Sequence, residues 1–208
     1  MTEQPRRGRS DKRQAILAGA LAVFARDGYT RASIDAISAE AGVSTRTVYN
    51  HFADKAELFL SVIHDSAARA AEAQIAIIDR HLRKVTDLEA DLIAFGLDWT
   101  APMPDLAAHF ALVKQVGAEE GHIPPEAIET WRRTGPQRVR AELAARLRHL
   151  AERGAIRAED PERAALHLML LVSADLPERD PHAPQPERSA ATVAAGVRTF
   201  LHGHQAPS

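Results

Sequence analysis

The segment of residues 34–55 constrains the fold of this chain more than any other. Within it, Ile37 and Ala41 recur at helical spacing. Gly42 can adopt the left-handed conformation that ends a helix, and Ser44 can cap a second helix immediately after it. Two short helices that share a tight turn form a helix-turn-helix, whose second helix enters the major groove of DNA. The segment therefore predicts a DNA-binding motif.

The two predicted helices divide into an apolar side and a polar side. The apolar residues expected to pack the helices together are Ala36, Ile37, Ala41, Val43 and Val48. The side chains expected to face DNA are those of Ser44, Thr45, Arg46, Thr47, Tyr49, Asn50 and His51. Arg46 can donate two hydrogen bonds to O6 and N7 of guanine, whereas Thr45 and Thr47 can contact thymine methyl groups or phosphates. Asn50 is a further candidate base contact.

A longer pattern in this region matches one protein family in register. It consists of Gly42-Val43-Ser44, Thr47-Val48-Tyr49, His51-Phe52 and Lys55, followed by Leu58 and Phe59. This pattern resembles the DNA-binding domain of the TetR family of bacterial transcriptional regulators, whose motif covers residues 11–60 here. The resemblance implies that Tyr49, His51 and Lys55 contact DNA phosphates. The alternative is an ordinary pair of antiparallel helices in another helical protein.

Arg31 and Ser33 stand at the start of the first helix of the motif. Backbone N–H groups and the positive end of the helix dipole favour a phosphate at this point. Ser33 can also cap the helix, which is a purely structural role. Residues at this point lie close to the DNA backbone in the TetR family, so the resemblance implies that both side chains contact DNA.

Charge is distributed unevenly along the chain. The net charge is −2, but residues 5–13 contain five Lys or Arg residues and a single acid, Asp11. We expect residues 1–10 to form a flexible basic arm that either contacts DNA or remains a solvated tail. A secretory signal is the competing interpretation, but charged residues separate Arg6 and Arg7 from the apolar run that begins at Ala15.

Composition favours an all-α protein. Hydrophobic residues make up 45% of the chain and aromatic residues only 5%, which favours Ala- and Leu-rich helices over sheet. There is no cysteine, so disulfides and Cys-based zinc sites are excluded, as suits a cytoplasmic protein. No apolar stretch approaches the roughly 20 residues of a membrane helix, and we expect no membrane association.

Two domains are predicted. Residues 11–56 are expected to form a three-helix helix-turn-helix DNA-binding domain, whose first helix begins after a Ser10 cap and ends at Gly28. Residues 57–208 are expected to form a helical ligand-binding and dimerisation domain. Capping boxes are predicted at Asp54/Glu57 and at Thr86/Glu89, and Gly135-Pro136 predicts a kink or break. The section 124–172 is similar to the C-terminal domain of AefR-like members of the TetR family.

Large apolar side chains in the predicted second domain suggest a ligand pocket. The candidates from three helical sections are Phe95, Trp99, Met103, Phe110 and Trp131, with His109 or His167 as a polar contact. Each residue taken alone is better explained by core packing. The resemblance implies that a small apolar or aromatic effector binds between these helices.

Two further apolar helices suggest a homodimer. The run from Leu168 to Val172 indicates a helix buried on more than one face, and the final helix is also apolar. The predicted interface residues are Leu168, Leu171, Val172, Val193, Val197, Phe200 and Leu201. A two-fold dimer would place two recognition helices on a palindromic operator in double-stranded DNA. The alternative is that these side chains complete the core of one chain.

Catalytic and metal-binding patterns are absent from the sequence. The ten histidines match no metal-ligand spacing, and no phosphate-binding loop or nucleophile motif occurs, so we expect no metal, no cofactor and no enzyme. The sequence predicts a ligand-responsive transcriptional regulator, a repressor released from its operator by an effector. The alternatives are an all-α enzyme and an architectural DNA-binding protein without an effector.

Overall fold

The computed structural model describes residues 4–174 and 186–204, and these residues form helices joined by short turns. The helices are α1 (Gln4–Arg31), α2 (Ile34–Glu40), α3 (Thr45–Tyr49), α4 (Lys55–Leu82), α5 (Leu88–Thr100), α6 (Ala107–Ala118), α7 (Pro125–Arg132), α8 (Arg138–Glu152), α9 (Pro161–Val172) and α10 (Pro186–Gly203). No strand occurs in these two ranges, which agrees with the predicted all-α class.

The chain divides into two compact units. The first comprises Met1–Ala70 and Met103–Gly135, and the second comprises Ala71–Pro102 and Pro136–Ser208. The predicted boundary after residue 56 differs from this division, because the first unit extends to Ala70 and also includes α6 and α7. Leu112 and Val116 of α6 are buried in the same apolar cluster as side chains of α1–α4. Burial of this apolar surface stabilises the three N-terminal helices together with α6 and α7.

Helix α1 begins earlier than predicted and breaks where predicted. It starts at Gln4 rather than after Ser10, because Pro5 falls in the first turn, where proline needs no N–H partner. Residues 4–9 are therefore helical, although their arginine side chains lie outside the described part of the structure. At Gly28 the backbone leaves the helix with φ 77° and ψ 175°. Glycine adopts this positive φ without steric cost.

The helix-turn-helix forms as its local signals predict. Ser33 accepts a hydrogen bond from the Ala36 N–H at 3.1 Å and caps α2. Ser44 accepts one from the Thr47 N–H at 3.2 Å and caps α3. Gly42, with φ 64°, forms the turn between the two helices. Of the predicted packing residues, Ile37 and Val48 are fully buried, whereas the other three are half-buried against the same apolar cluster: Ala36, Ala41 and Val43.

The helix caps further along the chain confirm one prediction and correct another. The Asp54/Glu57 capping box is present, with the Glu57 N–H donating to Asp54 at 2.8 Å and the Ala53 N–H donating to Glu57 at 2.6 Å. The Thr86/Glu89 box is wrong. Asp87 caps α5 instead. It is one residue closer than Thr86 to the first residue of the helix, and its carboxylate accepts a hydrogen bond from the Ala90 N–H at 3.0 Å.

Pro136 lies inside a continuous helical stretch. The sequence predicts a kink or break there, and the structure has a π-helical turn at Arg133–Gln137 between α7 and α8. Proline cannot donate the usual helical hydrogen bond, and a widened turn accommodates the missing donor and the ring. The local effect of the proline is therefore a change of helix type.

Candidate nucleic-acid interface

Helix α3 and its C-cap residue Asn50 carry the side chains predicted to read bases. Arg46 and Asn50 are exposed, Tyr49 is 56% exposed, and Thr45 is half-buried. Within residues 4–174 and 186–204, neither Arg46 nor Asn50 forms a side-chain hydrogen bond or ion pair. The guanidinium and the amide are therefore free of protein partners there, which is the condition for donating to base edges.

Ser44 and Thr47 hold the start of α3. Their hydroxyl oxygens lie 2.8 Å apart in a hydrogen bond, in addition to the bond from the Thr47 N–H to Ser44. Ser44 is exposed and Thr47 is half-buried, so both hydroxyl groups remain close to the surface. These bonds stabilise the first turn of the helix, and contact with DNA stays a prediction for both residues.

Lys55 has a structural role that the sequence did not reveal. Its ammonium donates to the carbonyl oxygens of Tyr29 at 3.0 Å, Ala32 at 3.1 Å and Thr30 at 3.4 Å. It also lies 4.7 Å from the centroid of the Tyr29 ring, a cation–π distance. Contact of Lys55 with a phosphate, as the resemblance implies, stays a prediction.

His51 is half-buried, with its ring 6.4 Å from that of Phe52.

Arg31 and Ser33 are both exposed at the start of α2. The Arg31 side chain turns back along α1, and its Nε donates to the Asp27 carbonyl at 3.0 Å. Ser33 uses its hydroxyl oxygen for the α2 cap, as described above. The two residues therefore lie next to a helix N-terminus, where partial positive charge favours a phosphate.

The candidate ligand-binding residues are divided between the two units. Met103, His109, Phe110 and Trp131 belong to the first unit, and Phe95, Trp99 and His167 belong to the second. Trp131 packs against the apolar cluster of the first unit. In the second unit Phe95 is fully buried beside Trp99, with ring centroids 5.6 Å apart, and His167 is exposed. Core packing explains Phe95 without a ligand, and the pocket stays a prediction.

His109 is a buried histidine in α6 of the first unit. It is 7% exposed, and its Nδ1 lies 3.2 Å from the Ser66 hydroxyl in a hydrogen bond. Burial lowers the pKa of His109 to about 4, and the positive charge of Arg69 adds to this effect. The imidazole is therefore neutral at pH 7.

We expect His109 to make stability depend on pH below neutrality. Because the folded pKa is about 4 and the unfolded one is near 6.5, the unfolded state takes up a proton first as pH falls. The free energy of unfolding should decrease between about pH 6.5 and pH 4, by at most about 3 kcal/mol. Urea denaturation at a series of pH values measures this. The His109→Gln variant should lack this part of the pH dependence, and an unchanged slope in the variant would contradict the assignment.

The predicted interface residues of α9 and α10 are mostly buried within one chain. Leu168, Val172, Val193, Val197 and Phe200 each have at most 1% of their surface exposed, whereas Leu171 and Leu201 are half-buried. The exposed apolar side chains of α9 are instead Leu166, at 40%, and Leu170, at 60%. The sequence could not separate these sets, because apolar residues occur on every face of α9. A side chain that is already buried adds no new buried area when a second copy binds. We therefore expect Leu166 and Leu170, and not the buried residues, to lie in a dimer interface.

Two other classes of site are absent from the part of the chain that the structure describes. No group of three or more His, Cys, Asp or Glu side chains there is arranged to hold a metal ion. None of the helices there combines the length and the apolar character that crossing a membrane requires.

Comparison with known proteins places both halves of the chain in the same family. Residues 16–62 match the sequence model described as bacterial regulatory proteins, tetR family. Residues 106–206 match the model described as the AefR-like transcriptional repressor, C-terminal domain. Together the two matches cover more than half of the chain.

The curated relatives resemble the chain in its N-terminal region. The transcriptional repressor AcnR of Corynebacterium diphtheriae is 41% identical over 63 residues, which are 30% of this chain and 33% of AcnR. The transcriptional activator FasR of Mycolicibacterium smegmatis is 36% identical over 79 residues, 38% of this chain and 34% of FasR. The chain thus spans about a third of the length of each relative.

Solved structures share the fold over nearly the whole chain. A TetR-family transcriptional regulator from Mesorhizobium loti has a TM-score of 0.81 at 23% identity, and the match covers 98% of this chain and 99% of that one. The flavonoid-responsive regulator FrrA has a TM-score of 0.71 at 25% identity, with 96% and 100% covered. From its capped helix-turn-helix, the two sequence models and these neighbours, the chain belongs to the TetR family of transcriptional regulators.

Proposed function

We propose that this protein is a ligand-responsive repressor that binds a palindromic operator as a homodimer. The observation that supports operator binding is the surface formed by α3 and its C-cap residue Asn50. The side chains of Arg46 and Asn50 are exposed there and lack partners in the described part of the chain. A short helix held at its N-terminus by Ser44 can enter a major groove and present these two side chains to base edges.

The residues around α3 divide by chemistry into base contacts and backbone contacts. Arg46 is proposed to bind guanine, with Thr45, Thr47 and Asn50 as neighbouring contacts. The proposed phosphate contacts are Arg31, Ser33, Ser44, Tyr49, His51 and Lys55. Phosphate contacts set the orientation of the protein on DNA and carry no direct sequence information. The preference for the operator sequence is therefore assigned to the four proposed base contacts.

The homodimer is proposed to use the exposed side of α9. Leu166 and Leu170 are four residues apart and therefore lie on one helix face. Paired with the same face of a second copy and with α10, they would form a four-helix interface. Two-fold symmetry then requires two half-sites in the operator.

We expect Leu170→Lys to weaken the dimer by about tenfold or more, because association would bury a charged ammonium without a partner. Sedimentation equilibrium at micromolar concentrations measures the effect. Ala155→Lys is the matched control, since Ala155 is exposed in the turn after α8 and gains the same charge. A Leu170→Lys variant as dimeric as the wild type would remove this face from the interface.

The effector is proposed to be a small apolar or aromatic molecule. The proposed apolar contacts are Phe95, Trp99, Met103, Phe110 and Trp131, and the proposed polar contact is His109 or His167. The similar regulator FrrA is flavonoid-responsive, which makes aromatic compounds the first to be tried. An effector releases DNA only if it prefers one conformation, and a hundredfold release needs about 2.7 kcal/mol of differential binding.

Footprinting on the DNA around the protein's own gene tests the proposal. A protected palindrome is expected, with binding that exceeds binding to random DNA by about a thousandfold or more. Equal affinity for all sequences would favour an architectural protein, and turnover of a ligand would favour an enzyme. Repeating the footprint in the presence of aromatic ligands tests whether a ligand releases the protein from the operator. Tryptophan emission, followed in parallel, reports whether the ligand binds. Because the relatives include both a repressor and an activator, a reporter gene determines the direction of regulation.

A further inference from the structure

A glutamate from the second half of the sequence contacts the segment that joins α1 to α2. Glu119 follows α6 and is its C-terminal cap residue. Its carboxylate Oε2 accepts hydrogen bonds from the Thr30 N–H at 2.9 Å and from the Thr30 hydroxyl at 3.0 Å. Both residues belong to the first compact unit, although 89 positions separate them in the sequence. This contact connects α6 directly to the start of the helix-turn-helix.

Glycine at position 28 is required for this contact. A Cβ atom at Gly28 would overlap Oε1 of Glu119, so any other residue would displace the carboxylate. The backbone at Gly28 also has φ 77°, a conformation that side chains disfavour. The same glycine thus ends the regular part of α1 and leaves room for Glu119.

The segment of residues 28–33, here called the α1–α2 segment, is held by two opposite charges. Lys55 binds carbonyl oxygens of the segment, and Glu119 binds an amide N–H and a hydroxyl. Although burial alone would raise the pKa of the Glu119 carboxyl, the hydrogen bonds from Thr30 lower it, so the group is ionised at neutral pH. Charged acceptors form stronger hydrogen bonds than neutral ones. The ammonium and the carboxylate together restrict the backbone that leads into α2.

We propose that Glu119 is a positioning residue for DNA recognition, which holds the α1–α2 segment so that Arg31 and Ser33 meet the DNA backbone. This inference rests on the proposed function, because it concerns how an operator is bound. Thr30 is adjacent to Arg31 and three residues before Ser33, so a shift of the segment moves both side chains. Glu119 itself carries a negative charge and cannot attract DNA.

The sign of the effect distinguishes positioning from electrostatics. Removing a negative charge near DNA by itself strengthens binding to every sequence. Loss of positioning weakens binding to the operator instead. Glu119→Ala removes both the charge and the hydrogen-bond acceptor, whereas Glu119→Gln removes the charge but retains an amide oxygen that can accept from Thr30.

The experiment compares operator and random DNA for the wild type and these variants by fluorescence anisotropy. We expect Glu119→Ala to lose about threefold to tenfold of operator affinity, whereas Glu119→Gln stays within about twofold of the wild type. Thr30→Val, which lacks the hydroxyl, should lose affinity, and Thr30→Ser should retain it. Glu126→Gln is the charge control, since Glu126 is exposed in α7 of the same unit.

A second readout does not need DNA. Hydrogen exchange at the Thr30 amide should be faster in Glu119→Ala than in the wild type and in Glu119→Gln. If the wild type selects an operator but Glu119→Ala binds it equally well, or if both Glu119 variants bind it more tightly, positioning by Glu119 is wrong. If the wild type shows no preference for any sequence, the proposed function fails, and faster exchange then leaves Glu119 only a structural role.

Discussion

Phe59→Ala is expected to lower the free energy of unfolding by about 3–5 kcal/mol, the range for removing a buried phenylalanine ring. The Phe59 side chain, on α4, is fully buried. Its ring centroid lies 4.8 Å from that of Phe24, in an edge-on arrangement, and 4.7 Å from that of Tyr29. Alanine would remove both ring contacts and leave a cavity between α1 and α4.

Urea denaturation followed by circular dichroism measures this loss. Phe59→Leu is the matched control, because leucine keeps most of the apolar volume, and we expect it to cost about 1–2 kcal/mol. Tyr29 is also the residue whose carbonyl binds Lys55, so the alanine variant should disturb the α1–α2 segment as well. An alanine variant as stable as the leucine variant would show that the three rings do not form a tightly packed core.

Arg46→Ala is expected to cost about 1–3 kcal/mol of operator binding, equivalent to roughly 5- to 150-fold in affinity. The physical reason is the planar guanidinium, which can donate two parallel hydrogen bonds to one guanine. Preference for a base should be lost at one position of each half-site, while binding to random DNA changes little. Arg46→Lys should not restore the preference, since an ammonium lacks the paired donors.

Competition between operator and random DNA at a fixed salt concentration measures the change. Arg148→Ala is the control for lost charge, because Arg148 is exposed in α8 of the second unit. Base substitutions at each operator position then identify the pair that Arg46 reads. Equal losses on operator and random DNA would assign Arg46 to phosphate contact and leave specificity to other residues of α3.

The features predicted correctly are those formed within a few residues of one another. Gly28 and Gly42 end helices through their own backbone freedom. Ser33 and Ser44 cap helices through amides three residues away. The helix-turn-helix and the family resemblance follow from such local signals. The wrong N-cap predicted for α5 is also a local matter. Thr86 and Asp87 are adjacent, and both residue types suit an N-cap.

The contacts between distant residues were decided only by the tertiary structure. Nothing near Glu119 in the sequence indicates Thr30, and nothing near Lys55 indicates three carbonyl oxygens, because such bonds depend on how α1, α4 and α6 pack. The sequence by itself determined which segments are helical and which two of them form the helix-turn-helix. It could not determine which leucines of α9 are inside, since Leu168 and Leu170 are equally apolar and only packing buries the first and exposes the second.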